Sequence, residues 1–266
     1  LFSLGVAASD THITLCNGTR FTGNEALAGA GMYLMRASGN DIILDLLSSY
    51  IDGNTATSSG GGIFAYNGVQ INAENASITN NRAANGGGLY LYSLDGKAIA
   101  KLLNSFVDNN TATGWGGGIY AYNGSQVHAE NTSISNNNAS SAGGLFVWNN
   151  SSAELTDSMV TGNTAEKNGG GIYVYDVSST VTLHNGTYVI NNTAANGAGI
   201  YNAGTLTMND GSVVAGNEAT ASGGGILNNG TTNIKSGAYV LDNHAGTYGG
   251  GMCSNGTATV ESGATL

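Results

Sequence analysis

The 266-residue chain contains no proline, only seven lysines and arginines together, four histidines and two cysteines, and charged residues make up just 9% of it. Without proline a collagen triple helix is excluded. With so few cations and a formal net charge of −10, phosphate backbones and anionic membrane surfaces repel the chain, so nucleic acid is not an expected partner. No apolar run approaches the ~20 residues that cross a bilayer as a helix, so membrane insertion is not expected. What abounds is glycine, 43 residues, with 34 asparagines and 51 serines and threonines. The hydrophobic fraction is still 41%, as in an ordinary globular chain. A disordered chain is poorer in apolar groups. So narrow a composition with a full complement of core residues points to internal repeats.

A glycine-rich tetrad ending in an aliphatic residue recurs nine times, closing at Met32, Ile63, Leu89, Ile119, Leu145, Ile172, Ile200, Ile226 and Met252, at spacings of 26 to 31 residues. Eight or nine residues before each lies a second motif, apolar-x-x-Asn-x-Ala. Its asparagines are Asn24, Asn54, Asn81, Asn110, Asn137, Asn163, Asn192, Asn217 and Asn243, and its apolar positions run from Phe21 and Ile51 to Val240. A longer period is superposed: residues 58–83 match residues 114–139 at 17 of 26 positions, as expected from duplication of a two-repeat unit.

Within a repeat, apolar residues alternate over short runs such as Val69-Gln70-Ile71-Asn72-Ala73, bounded by Asn, Gly and Ser clusters. Alternation is the strand signature, and those clusters are turn signals. The spacing predicts an all-β, single-domain parallel β-helix of about nine coils and ~27 residues per coil, with three short strands and three turns in each. Residues 1–20 form a leading partial coil, 21–252 carry the nine motif-bearing coils, and 253–266 begin another. Leu1–Ser9 reads as the first strand or the remnant of a signal peptide. The recurrent asparagines are expected to hydrogen-bond their copies above and below as a structural ladder, with glycine permitting positive φ and close approach of neighbouring coils.

The paired apolar-x-x-Asn and Gly-Gly-x-aliphatic motifs, spanning Phe21 to Met252, resemble the repeats of polymorphic outer membrane proteins of chlamydiae and of related autotransporter passengers. The resemblance implies a right-handed β-helix displayed at a cell surface as an adhesin or scaffold.

Three features bear on function. Twelve Asn-x-Ser/Thr sequons occur, at Asn17, Asn75, Asn109, Asn123, Asn131, Asn138, Asn149, Asn150, Asn185, Asn191, Asn229 and Asn255. They read either as a by-product of Asn-rich turns or as N-glycan acceptors of an extracellular protein. Twelve of the 20 aromatics fall in two rows after the tetrads: Tyr33, Phe64, Tyr90, Tyr120, Phe146, Tyr173 and Tyr201, then Tyr66, Tyr92, Tyr122, Trp148 and Tyr175. Strand parity puts both rows on the face opposite the aliphatics. They are expected to form an exposed interaction stripe for a partner or another subunit, with a self-stacking ladder and a sugar platform as alternatives. Finally, Cys16 and Cys253 belong to the first and last coils, too far apart to bond each other. The sharper reading pairs Cys253 of one subunit with Cys16 of the next in a head-to-tail stack; the alternative is two free thiols.

An enzyme reading needs clustered carboxylates or a metal site. The 17 acids are scattered, and Glu74 and Glu130 are one position of the duplicated unit. Arg20, Arg36 and Arg82 all lie in the first third, and His12, His128, His184 and His244 share no register. The sequence therefore predicts a non-enzymatic extracellular or cell-surface structural protein without cofactors beyond N-linked glycans. It would be a subunit of a self-assembling fibril, sheath or appendage, its partners copies of itself. Alternatives are an adhesin binding a host protein or glycan through the aromatic face and, more remotely, a polysaccharide lyase or hydrolase.

Overall fold

A computed structural model describes residues 2–4, 10–36, 39–95 and 97–266. The chain winds as a β-helix in which every named strand pairs only with its equivalents one coil before and after, always in parallel. The coil around residue 70 shows the pattern: strands Ile63–Tyr66, Val69–Glu74, Ser77–Thr79 and Arg82–Ala83 follow one another, each joining a different sheet. Among the described residues these sheets, here A to D, contain ten, ten, nine and nine strands. Phe2–Leu4 opens sheet A by pairing with Met32–Met35; Leu1 and residues 5–9 of the expected first strand lie outside the described residues.

The expected three strands per repeat are four. The additional one follows each ladder asparagine and has only two residues in five coils, as in Thr111–Ala112 and Asn138–Ala139, and four or five in the other four, as in Thr55–Ser59. Its inward residue is the alanine of Asn-x-Ala, and it runs against the tetrad of its neighbour. A Cβ on Gly117 would lie 2.5 Å from the carbonyl oxygens of both Asn138 and Gly143. Nothing larger than Gly or Ala fits between sheet D and the tetrad backbone, so Ala30, Ala56 and Ala83, and Ala165, Ala194, Ala198 and Ala219, form small clusters of their own.

The main core lies between sheets A, B and C. Tetrad aliphatics such as Ile63, Leu89 and Ile119 fill it from sheet A, Ile71 and Leu155 from sheet B, and Ile78, Val107 and Ile134 from sheet C. At about 1.5–3 kcal/mol per fully buried aliphatic side chain, these columns dominate the stabilisation. Alternation in the long sheet B strands is clean: Val69–Glu74 reads buried, half-buried, buried, half-buried, buried, exposed.

Corners carry the polar order. At the C-to-D corner all nine asparagines form one ladder. Asn137 Nδ2 donates to Asn163 Oδ1 at 3.0 Å and to the Val107 carbonyl at 2.9 Å, while its Oδ1 accepts from the backbone N–H and Nδ2 of Asn110. The same pattern links Asn24 to Asn54 at one end and Asn217 to Asn243 at the other. The tetrad and the asparagine motif meet across coils: a Cβ on Gly118 would sit 3.0 Å from Asn137 Nδ2, and Gly62, Gly88, Gly144 and Gly171 stand against their own ladder amides alike. The residue preceding each ladder asparagine is always Gly, Asn or Asp in left-handed conformation, from Gly23 to Asp242, which those residues tolerate best. Two residues before the inward apolar position stands a buried column of Ser49, Ser105, Thr132, Ser158, Thr187 and Ser212. Its hydroxyls accept neighbouring N–H groups, Ser105 N–H to Thr132 Oγ1 and Thr132 N–H to Ser158 Oγ among them. Neither column was anticipated, although each is readable at its fixed offset.

Candidate functional site

Sheet A carries the twelve aromatics in two columns on its outer face, set in register by strands such as Leu89–Tyr92 between Ile63–Tyr66 and Ile119–Tyr122. The first column runs Tyr33, Phe64, Tyr90, Tyr120, Phe146, Tyr173 and Tyr201, and the second Tyr66, Tyr92, Tyr122, Trp148 and Tyr175. Centroids of successive rings within a column lie 4.6 to 5.4 Å apart.

The stripe is not the open surface expected. Phe146 is 1% exposed, Tyr120 3% and Tyr173 8%, the other rings are mostly half-buried, and only Tyr175, at 41%, is well exposed. Parity fixes which face the rings occupy but not what covers them, and here each ring covers the next. In the first coils the rings are nearly parallel: 1° between Tyr33 and Phe64, 5° between Phe64 and Tyr90, 12° between Tyr90 and Tyr120. A parallel stack along the coil axis uses ring faces on one another and leaves edges outward. That geometry disfavours a sugar platform, which needs free faces.

Order changes at mid-rod. Phe146 meets Tyr173 edge-on at 84° and Tyr175 at 60°. Both tryptophans converge on it: Trp148 with its centroid 6.3 Å away, and Trp115, 41% exposed, stacked at 6.1 Å and 12°. Ala142, with φ 58° at a position where the other coils carry glycine, packs into the same cluster. Burial and the neighbouring phenols push the Tyr90 and Tyr173 hydroxyls up to about 12, Tyr120 higher still, and Tyr33 and Tyr92 upward.

Ten sequon asparagines are exposed, and Asn123 and Asn149 are half-buried. Asn149 Nδ2 donates to Asn123 Oδ1 at 2.7 Å, and Asn123 Nδ2 donates to the Ser93 carbonyl. Eight of the twelve (Asn17, Asn75, Asn109, Asn123, Asn131, Asn149, Asn150 and Asn191) have positive φ. Left-handed turn positions thus favour asparagine at these eight whether or not a glycan is attached. Cys16 is exposed and Cys253 half-buried; both are free. They lie at opposite ends of the rod, Cys16 just after the first strand of sheet B and Cys253 on the last of sheet A, aligned with Leu227 and thus with the first aromatic column.

A few charged groups engage one another or a neighbouring side chain. Along sheet B, Asn72 donates to Asp45 at 2.8 Å and His128 Nδ1 lies 3.5 Å from Glu154, in a shallow depression with Lys101 and Glu130. Arg36 bridges Asp41 and Asp95, and Arg20 lies over the Tyr50 ring at 4.1 Å. Among the described residues, no three His, Cys, Asp or Glu side chains are grouped to hold a metal ion. Sequence reasoning missed two features. Outward positions of sheet C expose Phe106, Met159, Tyr188 and Tyr239. In late coils Asn202 and Asn228 form a second buried amide link on sheet A at 3.0 Å; spanning two coils, it leaves too short a signal to detect.

A family model described as right handed beta helix region matches residues 3–188. Comparison with curated protein sequences and with solved structures returns no match.

Proposed function

The chain belongs to the right-handed β-helix family, and from that premise we propose that it is a non-catalytic structural protein of the cell exterior, a stiff rod that associates with copies of itself. The observation that carries this reading is the unbroken amide ladder from Asn24 to Asn243, which locks each coil to the next. Aromatic stacking reinforces the same axis over seven coils. Side-chain chemistry is thus directed along the rod, between coils, more than toward a pocket. The resemblance of the paired motifs to surface-displayed bacterial repeat proteins supports an exterior location, and the exposed sequons suit N-glycan carriage if the source is eukaryotic. Head-to-tail association is the favoured mode, with Cys16 and Cys253 available to staple it.

Electron microscopy of the protein without reductant tests this. Filaments with an axial repeat of roughly 40–45 Å, nine coils at the inter-strand spacing, are expected; isolated rods would sink it. A non-reducing gel without disulfide-linked oligomers would remove the staple alone. A second reading, an adhesin contacting a host protein, is favoured by the mid-rod cluster, because exposed Trp and Tyr over a packed aromatic base make a typical contact hot spot. Trp115→Ala with Tyr175→Ala should then abolish cell binding while leaving the circular dichroism unchanged.

A further inference from the structure

Tyr66, Tyr92 and Tyr122 occupy equivalent positions in three successive coils, Tyr92 paired in register with both neighbours. Their ring centroids lie 5.0 and 5.1 Å apart at interplanar angles of 33° and 10°, so successive phenol rings are held at stacking distance. All three rings are half-buried, held by the sheet yet open to solvent. Trp148 continues the column 4.6 Å beyond Tyr122. The first column is interrupted by Phe64 and Phe146, which have no phenol; the second has an oxidisable ring at each of its five positions.

We propose that this column is a site of oxidative cross-linking, in which a haem peroxidase with hydrogen peroxide joins Tyr92 to Tyr66 or to Tyr122 through a carbon–carbon bond. Each phenol gives up one electron and its hydroxyl proton, forming a phenoxyl radical whose unpaired spin reaches the ring carbons beside the oxygen. Two such carbons bond, and each ring then transfers the displaced hydrogen to its oxygen, so both hydroxyls are regenerated. The two electrons and two protons lost reduce one hydrogen peroxide to two waters.

Held proximity favours coupling over diffusion, because the partner is already in place when the radical forms. Solvent access selects the pair. Tyr90 and Tyr120 are closer, at 4.6 Å, but Tyr120 is only 3% exposed, so an oxidant arriving from solvent reaches its ring least. Burial and the flanking phenols raise the Tyr92 hydroxyl above the usual tyrosine range. Tyr92 lies 26 residues from Tyr66 and 30 from Tyr122, and a bond across either loop restricts the unfolded chain as a disulfide does.

The test is oxidation of the purified chain with a plant haem peroxidase and hydrogen peroxide, followed by dityrosine fluorescence and mass-spectrometric peptide mapping. Intrachain Tyr66–Tyr92 or Tyr92–Tyr122 peptides, two hydrogens lighter than their sum, are expected. Tyr92→Phe keeps the stacked ring and should lower intrachain dityrosine by about tenfold, the advantage of a preplaced partner; the oxidised wild type should also melt higher than the oxidised variant. Prior unfolding in urea should erase those peptides. Dityrosine found only between chains, through exposed Tyr188, Tyr239 or Tyr248, would overturn the proposal, as would an unchanged intrachain yield in Tyr92→Phe or the same map from unfolded chain.

Discussion

Replacing Asn137 by alanine removes four hydrogen bonds: two donated by Nδ2, to the Val107 carbonyl and Asn163 Oδ1, and two accepted by Oδ1, from the Asn110 backbone N–H and Nδ2. The Asn137 N–H to Asn163 Oδ1 bond survives, because it is main-chain. Asn110 Nδ2 keeps the Ile78 carbonyl, but its backbone N–H loses this partner in the interior. At about 1 kcal/mol net per bond, with the desolvation cost of a stranded donor, the loss is about 3–5 kcal/mol. Asn24→Ala deletes the same side chain where it is exposed and sacrifices the Nδ2 bond to Asn54, a loss of about 0.5–1 kcal/mol. Asn137→Asp sharpens the comparison. It preserves shape and both accepted bonds but turns an oxygen toward the Val107 carbonyl and Asn163 Oδ1. Burial would raise that carboxyl's pKa in the folded state. Its penalty should therefore be smallest below the unfolded value of about 3.9 and grow as pH rises from there to the folded pKa. Urea unfolding followed by circular dichroism measures all three. If Asn137→Ala came within about 1 kcal/mol of Asn24→Ala, a typical single-bond contribution, the ladder would not be the axial lock described above.

Gly118→Ala places a methyl 2.7 Å from the Gly144 carbonyl and 3.0 Å from Asn137 Nδ2; it should cost about 2 kcal/mol or more by overpacking. Gly18→Ala, at φ +79° with open space around it, should cost only the ~1–2 kcal/mol of a left-handed alanine, and equal midpoints for the two in urea would contradict the close approach. Phe146→Ala should lose about 3–5 kcal/mol and shift the emission of both tryptophans that flank it; an unchanged fluorescence spectrum would mean the mid-rod cluster does not exist in solution. Because Tyr90 and Tyr173 have folded pKa values raised to about 12, their contribution is complete below the unfolded value of about 10 and is lost as pH climbs toward 12. The urea midpoint should fall over that window, and fall less in Tyr90→Phe; a flat profile would refute the burial of these phenols.

Features that demand one residue type were readable in the sequence. The ladder needs a group that donates and accepts from one short side chain, and the facing tetrad needs the absence of Cβ, so Asn and Gly recur at fixed offsets in every coil. Strands of sheet D escaped notice because five of the nine, such as Arg82–Ala83, have two residues and cannot show alternation, and longer ones such as Thr55–Ser59 are built of Thr, Ala and Ser with no apolar alternation to read. The aromatic rows were found with their face assigned, but their exposure was misjudged. Whether a ring is covered depends on the ring one coil away, some 26 to 31 residues distant, and on loop residues such as Trp115. Self-association and the fate of the sequons lie beyond what either motif encodes, because eight of the sequon asparagines occupy left-handed turn positions that favour asparagine with or without a glycan.

The amide-to-amide ladder is directional: along it Nδ2 donates to the Oδ1 of the following coil and Oδ1 accepts from the preceding one, while the second Nδ2 hydrogen reaches back to a carbonyl of the preceding coil, as Asn137 does to Val107. Adding or removing a whole coil therefore restores every bond, whereas inserting one residue within a coil throws its asparagine out of line. Rod length can change in whole-coil steps at little cost in stability, and the near-copy of residues 58–83 at 114–139 is the kind of record such growth leaves. Selection can lengthen or shorten this molecule as one adjusts a chain by links, without redesigning any of them.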